Sequence, residues 1–105
     1  MNKKIHTDSV DHLFEAVLCL QNKEECYSFF EDLCTIAEIQ AMAQRLTVAT
    51  LLRNNVKYQE IARRTGASTA TISRVNRAKE YGADGYNRVL EKLEEQGELD
   101  RKTEG

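Results

Sequence analysis

A chain of 105 residues with a formal net charge of −2, 41% apolar and 30% charged, has the size and composition of one ordinary soluble domain. It contains no proline and no tryptophan, and Leu, Glu, Ala, Lys and Arg run throughout, which favours an all-α fold. No apolar run approaches the roughly 20 residues of a membrane helix and no charged-then-apolar leader opens the chain, so no membrane partner is expected and the expected location is cytoplasmic.

Residues 1–7 are polar and expected to fray. A first helix is predicted over 8–21, because Val10, Leu13, Phe14, Val17 and Leu18 fall on one helical stripe and Asp8 and Asp11 stand at the end that favours negative charge. After a break at Asn22, a second helix over 23–33 opens with Glu24 and Glu25 and carries Cys26, Tyr27, Phe29, Phe30 and Leu33 as its apolar stripe. Thr35 and Glu38 form a capping box that starts a third helix, ending near residue 53. Ile36, Ile39, Met42, Ala43 and Leu46 line one of its faces and Val48, Leu51 and Leu52 widen it, the pattern of a central helix buried on more than one side. Asn54 and Asn55 end it, since Asn tolerates a left-handed helix exit.

Residues 58–78 read as two short helices joined by a tight turn. The first, over 58–64, buries Ile61 and Ala62; Gly66 supplies the turn; Ser68 or Thr69 caps the next helix; Ile72 and Val75 face back at the first. This is the pattern of a helix-turn-helix. The second helix is left with an outer face of Thr69, Ala70, Ser73, Arg74 and Arg77, small, hydroxylic or guanidinium groups that fit base edges and phosphates. Residues 80–85, with Gly82 and Gly85, make a further turn. A last helix over 86–95 carries Tyr86, Val89, Leu90 and Leu93, and 96–105 is expected to be a flexible charged tail, disordered or loosely helical. The predicted organisation is one all-α DNA-binding domain over 1–95, followed by that tail.

The charge is unevenly spread. Between residues 45 and 79 there are eight Lys or Arg against Glu60 alone, a local +7, while the flanks carry −5 and −4. The positive block coincides with the helix-turn-helix, and the local field matters more for steering than the net charge. Double-stranded DNA is therefore the expected partner. The candidate DNA-binding residues are Lys57, Gln59, Arg63, Ser68, Thr69, Ala70, Thr71, Ser73, Arg74 and Arg77. Arg53, Arg64 and Lys79 belong to the same positive block. Arg63 and Arg64 lie about 100° apart on one helix, so one at most should point at a phosphate while the other pairs with Glu60. Ordinary solvated surface charge is the competing account of all of them.

Cys19, Cys26 and Cys34 are odd in number and lack a Cys-x-x-Cys spacing, which fits reduced core thiols rather than a metal site. Both histidines, His6 and His12, lie in the first 12 residues, and there is no phosphate-cradling glycine loop. No catalytic residue, metal or cofactor is assigned, and no enzymatic activity is expected. The aromatic stripes of the first two helices exceed what one small chain can cover, which points to a homodimer rather than a monomeric bundle. A protein-interaction module built on a helix-turn-helix scaffold is the alternative to DNA binding.

From about Leu33 to Leu93 the chain resembles the Trp repressor superfamily, and within it the Trp-repressor-related YerC/YecD branch. The resemblance is carried by Leu33, Thr35, Leu51-Leu52-Arg53, Gln59-Glu60-Ile61, Gly66-Ala67 and Ala70-Thr71-Ile72-Ser73-Arg74. It implies an intertwined all-α dimer and a sequence-specific transcriptional regulator, in character a repressor. It also implies a corepressor pocket, in which two arginines of the Trp repressor sandwich the indole of tryptophan. Arg74 matches one of them, and Gln44 or Arg45 the other, so these three form the candidate effector pocket. Val75 stands where the repressor has a space-giving glycine and Ala78 where it has a serine, departures that disfavour L-tryptophan and leave room for another small effector.

Overall fold

The structure, a computed structural model, describes residues 4–104. It contains six helices and, among the described residues, no strand: α1 (Asp8–Leu18), α2 (Lys23–Leu33), α3 (Ile36–Arg53), α4 (Tyr58–Thr65), α5 (Thr69–Tyr81) and α6 (Gly85–Glu104). Part of the segment expected to fray, residues 1–3, and the final tail residue lie outside the described residues. The chain forms two compact units that divide after Gln40. No described helix is long and apolar enough to cross a membrane.

In the first unit each helix start is set by a side chain. Thr7 Oγ1 accepts from the Val10 amide at 3.2 Å, and Asn22 Oδ1 accepts from the Glu25 amide at 2.9 Å. Glu25 reaches back to the Gln21 amide at 2.8 Å, and Thr35 and Glu38 exchange bonds of 3.1 and 2.8 Å in the expected capping box. That box holds the Glu38 carboxyl below the usual range, chiefly through the Thr35 backbone N–H. α1 stops at Leu18, short of the expected residue 21, because the Cys19 and Leu20 amides turn to the tighter i−3 carbonyls of Ala16 and Val17.

Neither α1 nor α2 buries a single residue. Leu18 is 84% exposed, and Phe14, Tyr27 and Leu33 are also exposed. Phe29 and Phe30 pack edge to face, with centroids 5.7 Å apart, and stay half-buried. Cys26, Tyr27, Phe30 and Ile39 line an apolar groove of about 280 Å³ together with Lys23. The cysteines depart from expectation: all three are free thiols, but Cys19 and Cys26 are exposed and Cys34 is half-buried, so none lies in a core. Likewise Ile36 is 75% exposed, so the α3 stripe expected in the interior is not buried at this end.

The second unit holds the core. Val48 and Ala49 of α3, Ile61 of α4, Ala67 of the turn, Ile72 and Val75 of α5 and Leu90 of α6 are buried together. Leu51, Leu52, Val56, Ala62 and Tyr86 pack half-buried around them. Each fully buried Ile or Val contributes about 1.5–3 kcal/mol, so four such side chains dominate the local stability. Met42 and Leu46 of α3 stay exposed at the surface of this unit. α3 leaves its helix as the two asparagines predict: Asn55 takes φ 61°, and the Val56 amide bonds back to the Leu51 carbonyl at 3.0 Å.

α5 runs three residues beyond the expected 78, and Gly82 stops it. A Cβ on Gly82 would lie 2.3 Å from the Ala78 carbonyl oxygen, so only glycine fits. Asn87 then ties α5 to α6, its amide donating to the Lys79 carbonyl at 2.9 Å and to Asp84 Oδ1 at 3.1 Å. α6 extends to Glu104, through most of the stretch expected to be a flexible tail. Its Glu, Gln, Leu, Lys and Arg residues have high helix propensity, and the single Gly97 costs only about 1 kcal/mol.

Candidate nucleic-acid interface

α4 and α5 meet through a turn that Thr65, Gly66 and Ser68 hold by hydrogen bonds. Gly66 takes φ 72° with nothing near its missing Cβ, so the demand on it is conformational rather than steric. Thr65 is the node of the turn. Its hydroxyl donates to the Ile61 carbonyl at 2.7 Å and accepts from the Ala67 amide at 3.1 Å, while its carbonyl accepts from the side-chain amide of Gln44 at 3.1 Å. Ser68 is the cap of α5: its Oγ accepts from the Thr71 amide at 3.1 Å and lies 3.0 Å from the Thr71 hydroxyl. Thr69, the other candidate cap, is left free as the first residue of the helix.

At 100° per residue, buried Ile72 and Val75 and half-buried Asn76 and Lys79 share the inner side of α5. Thr69, Glu80, Ser73, Arg77, Ala70, Tyr81 and Arg74 fall in an outer arc of about 140°, and every one is exposed. The five residues assigned to the outer face therefore do share it. Thr71 lies to one side, half-buried with its hydroxyl on Ser68, and Ser68 is occupied as a cap. Tyr81, 85% exposed, continues the arc and was missed because the predicted helix ended at 78. Its spacing, four residues after Arg77 and seven after Arg74, was the available signal. Arg74, Arg77, Ala78, Tyr81 and Gly82 line a shallow groove of about 310 Å³.

The eight cations of the positive block separate into two sets. Arg53 pairs with Glu94 of α6, Nε to Oε1 at 2.5 Å, and this raises the arginine and lowers the carboxyl from their ordinary values. Lys79, its side chain only 15% exposed, pairs with Glu80 at 3.3 Å. Arg53 and Lys79 are thus tied up at the surface of the unit, where the sequence placed them among the phosphate-facing charges. Arg63 and Arg64 both bond Glu60, not one of them as expected, because Glu60 lies between them on the helix circumference. Arg63 Nε reaches Glu60 Oε2 at 2.9 Å, a second Arg63 nitrogen bonds Oε1, and Arg64 Nε reaches Oε1 at 2.9 Å. Arg63 first, and then Arg64, holds the Glu60 carboxyl down to about 2. Among the described residues Arg45, Lys57, Arg74 and Arg77 have no carboxylate partner. Lys57 is exposed just before α4, at its N-cap position, and Gln59 is exposed in the first turn of that helix.

Comparison with known proteins places this architecture. The Trp repressor protein family profile matches residues 8–94. The chain belongs to the Trp repressor family. Within that family it is 52% identical, over 92 residues and 88% of each chain, to the uncharacterized protein YerC of Bacillus subtilis, which places it in the YerC branch. A TrpR-like protein from Eubacterium eligens superposes with a TM-score of 0.85 at 55% identity, covering 88% of this chain and 95% of that one. A candidate Trp repressor from Staphylococcus aureus does so at 0.85 and 47%, covering 88% and 92%. The fold is thus the all-α Trp-repressor-like fold with its helix-turn-helix.

Gln44 donates its amide to Thr65, Arg45 is exposed, and Arg74 stands on the outer arc of α5. Val75, 2% exposed, is turned into the core. The groove beneath Arg74 and a second, apolar one of about 450 Å³ lined by Leu46, Ala78, Ala83, Gly85, Tyr86 and Val89 include neither Gln44 nor Arg45.

Proposed function

We propose that this protein is a sequence-specific, double-stranded DNA-binding transcriptional regulator, acting as a repressor in the cytoplasm. The outer arc of α5 carries the reading. It is small and hydroxylic at Thr69, Ala70 and Ser73, cationic at Arg74 and Arg77 with no carboxylate partner among the described residues, and backed by buried Ile72 and Val75. Small residues let a helix approach base edges closely in the major groove, and unpaired guanidinium groups reach guanine edges or phosphates. Lys57 and Gln59 at the start of α4 lie where the first helix of such a motif crosses the backbone. Selection of bound sequences from a random duplex pool tests this: a defined consensus with salt-dependent affinity is expected. A slope of log K against log salt near zero would remove DNA as partner and leave a protein-interaction scaffold.

The working form is a homodimer. Exposed Phe14, Leu18, Tyr27, Leu33 and Ile36 support this, since helices with wide apolar stripes and no buried residue require a cover, and a two-fold reader requires a second copy. Sedimentation should give a dimer at micromolar concentration; a monomer there would sink the assignment. L-Tryptophan is not the effector. The Gln44 amide is committed to Thr65 and a branched Val75 replaces the glycine, so any effector is a different small molecule.

A further inference from the structure

Glu60 is the single acid inside the positive block, and it holds two of that block's eight cations at once. On α4, Ile61 and Thr65 turn inward, while Gln59, Arg63, Glu60 and Arg64 follow one another around the outer side at about 40–60° intervals. The carboxylate therefore sits between the two guanidinium groups and accepts from three of their N–H groups: two of Arg63 and one of Arg64. The Arg63 side chain remains 71% exposed and that of Arg64 50%, so burial does not immobilise them. What restrains them is the shared acid. With that acid counted, the three residues present +1 rather than +2 to a polyanion.

We infer that Glu60 is a positioning residue that withholds Arg63 and Arg64 from the DNA backbone, lowering sequence-independent attraction so that base reading by α5 decides where the protein binds. This rests on the DNA-binding function proposed above. Non-specific affinity is almost wholly phosphate neutralisation, and each cation that reaches a phosphate adds about 0.9 to the magnitude of the salt slope. It also adds roughly tenfold to the affinity near 0.1 M salt. Two more free arginines on each α4 would strengthen binding to every sequence alike and erode the ratio between chosen and random sites.

The test is a salt titration of wild type and Glu60→Gln on a random-sequence duplex, with helix content and melting checked by circular dichroism. Glu60→Gln should bind at least tenfold tighter at about 0.1 M salt and steepen the slope by about 2 to 4, up to two arginines in each protomer of a dimer. Adding Arg63→Gln and Arg64→Gln to Glu60→Gln should return the slope to the wild-type value. An unchanged or shallower slope in Glu60→Gln overturns the inference while leaving DNA binding intact. A gain that persists without the arginines also overturns it, since the lost negative charge alone would then be responsible. A wild-type protein without salt-dependent binding overturns the DNA reading and this inference together.

Discussion

Replacing Arg77 by glutamine should separate cations by whether they have a partner. Lys57, Arg74 and Arg77 lack a carboxylate among the described residues, and three such contacts in each half of a dimer give a wild-type salt slope of roughly −5. Arg77→Gln removes two of the six and should flatten the slope by up to about 2, with little change in the preferred sequence, because a phosphate contact carries no base information. Arg53→Gln removes the same formal charge from the same block, but that guanidinium lies 2.5 Å from Glu94. Its flattening should stay below about 0.5. Fluorescence anisotropy on a labelled duplex from about 50 to about 300 mM salt measures both, a range over which such slopes are well resolved. Equal flattening by the two variants would show that ion pairing does not sort the cations, and no flattening by Arg77→Gln would remove the C-terminal half of α5 from the DNA backbone.

Ser68→Ala should cost about 1 kcal/mol in thermal melts by freeing the Thr71 amide, while Thr69→Ala should leave stability near wild type; the reverse order would move the cap to Thr69. Gly82→Ala forces a Cβ onto the Ala78 carbonyl and should destabilise by about 1–3 kcal/mol, against near-neutrality for Gly97→Ala; a neutral Gly82→Ala would refute the close approach. The Glu60 carboxyl, held near 2 by Arg63 and Arg64, contributes stability that is complete above its ordinary value of 4.5 and is lost as pH falls toward 2. Acid melts should accordingly fall less steeply in Glu60→Gln than in wild type between those limits, and parallel curves would contradict the pairing. Calorimetry with L-tryptophan should show no binding that raises DNA affinity, and tight binding would restore the corepressor pocket.

Local chemistry made most of the architecture readable. The Thr35–Glu38 box, the Asn55 exit and the left-handed Gly66 each depend on residues within four positions, and each is where the sequence put it. The ends of α5 and α6 were harder. α5 ends where Gly82 leaves the helical conformation in a geometry that no side chain at 82 would fit, and α6 continues through a glycine that propensity alone only weakens. The long-range polar links were not legible at all. Arg53 meets Glu94 across 41 residues and Gln44 meets Thr65 across 21, and no periodicity announces either. Those links decide which cations stay unpaired and which pocket residue is already engaged, so the candidate site could be located from sequence but its charges could not be sorted. Apolar stripes, for their part, say that a face needs cover without saying whether the same chain supplies it, which is why the cysteines and Ile36 were expected inside.

The Thr65 node bears on how a reader of this construction tolerates error. Its hydroxyl, its carbonyl and the neighbouring Ala67 amide are all engaged at the bend between α4 and α5. Gln44 fastens that bend to α3, and Ile61, Ile72 and Val75 clamp the two helices from inside. The two helices are thereby packed as one piece. On the DNA function proposed here, α4 and α5 would meet the groove as one piece, and deformation would come from the duplex. Binding sites should then be ranked as much by how readily their central steps twist as by the bases that α5 touches.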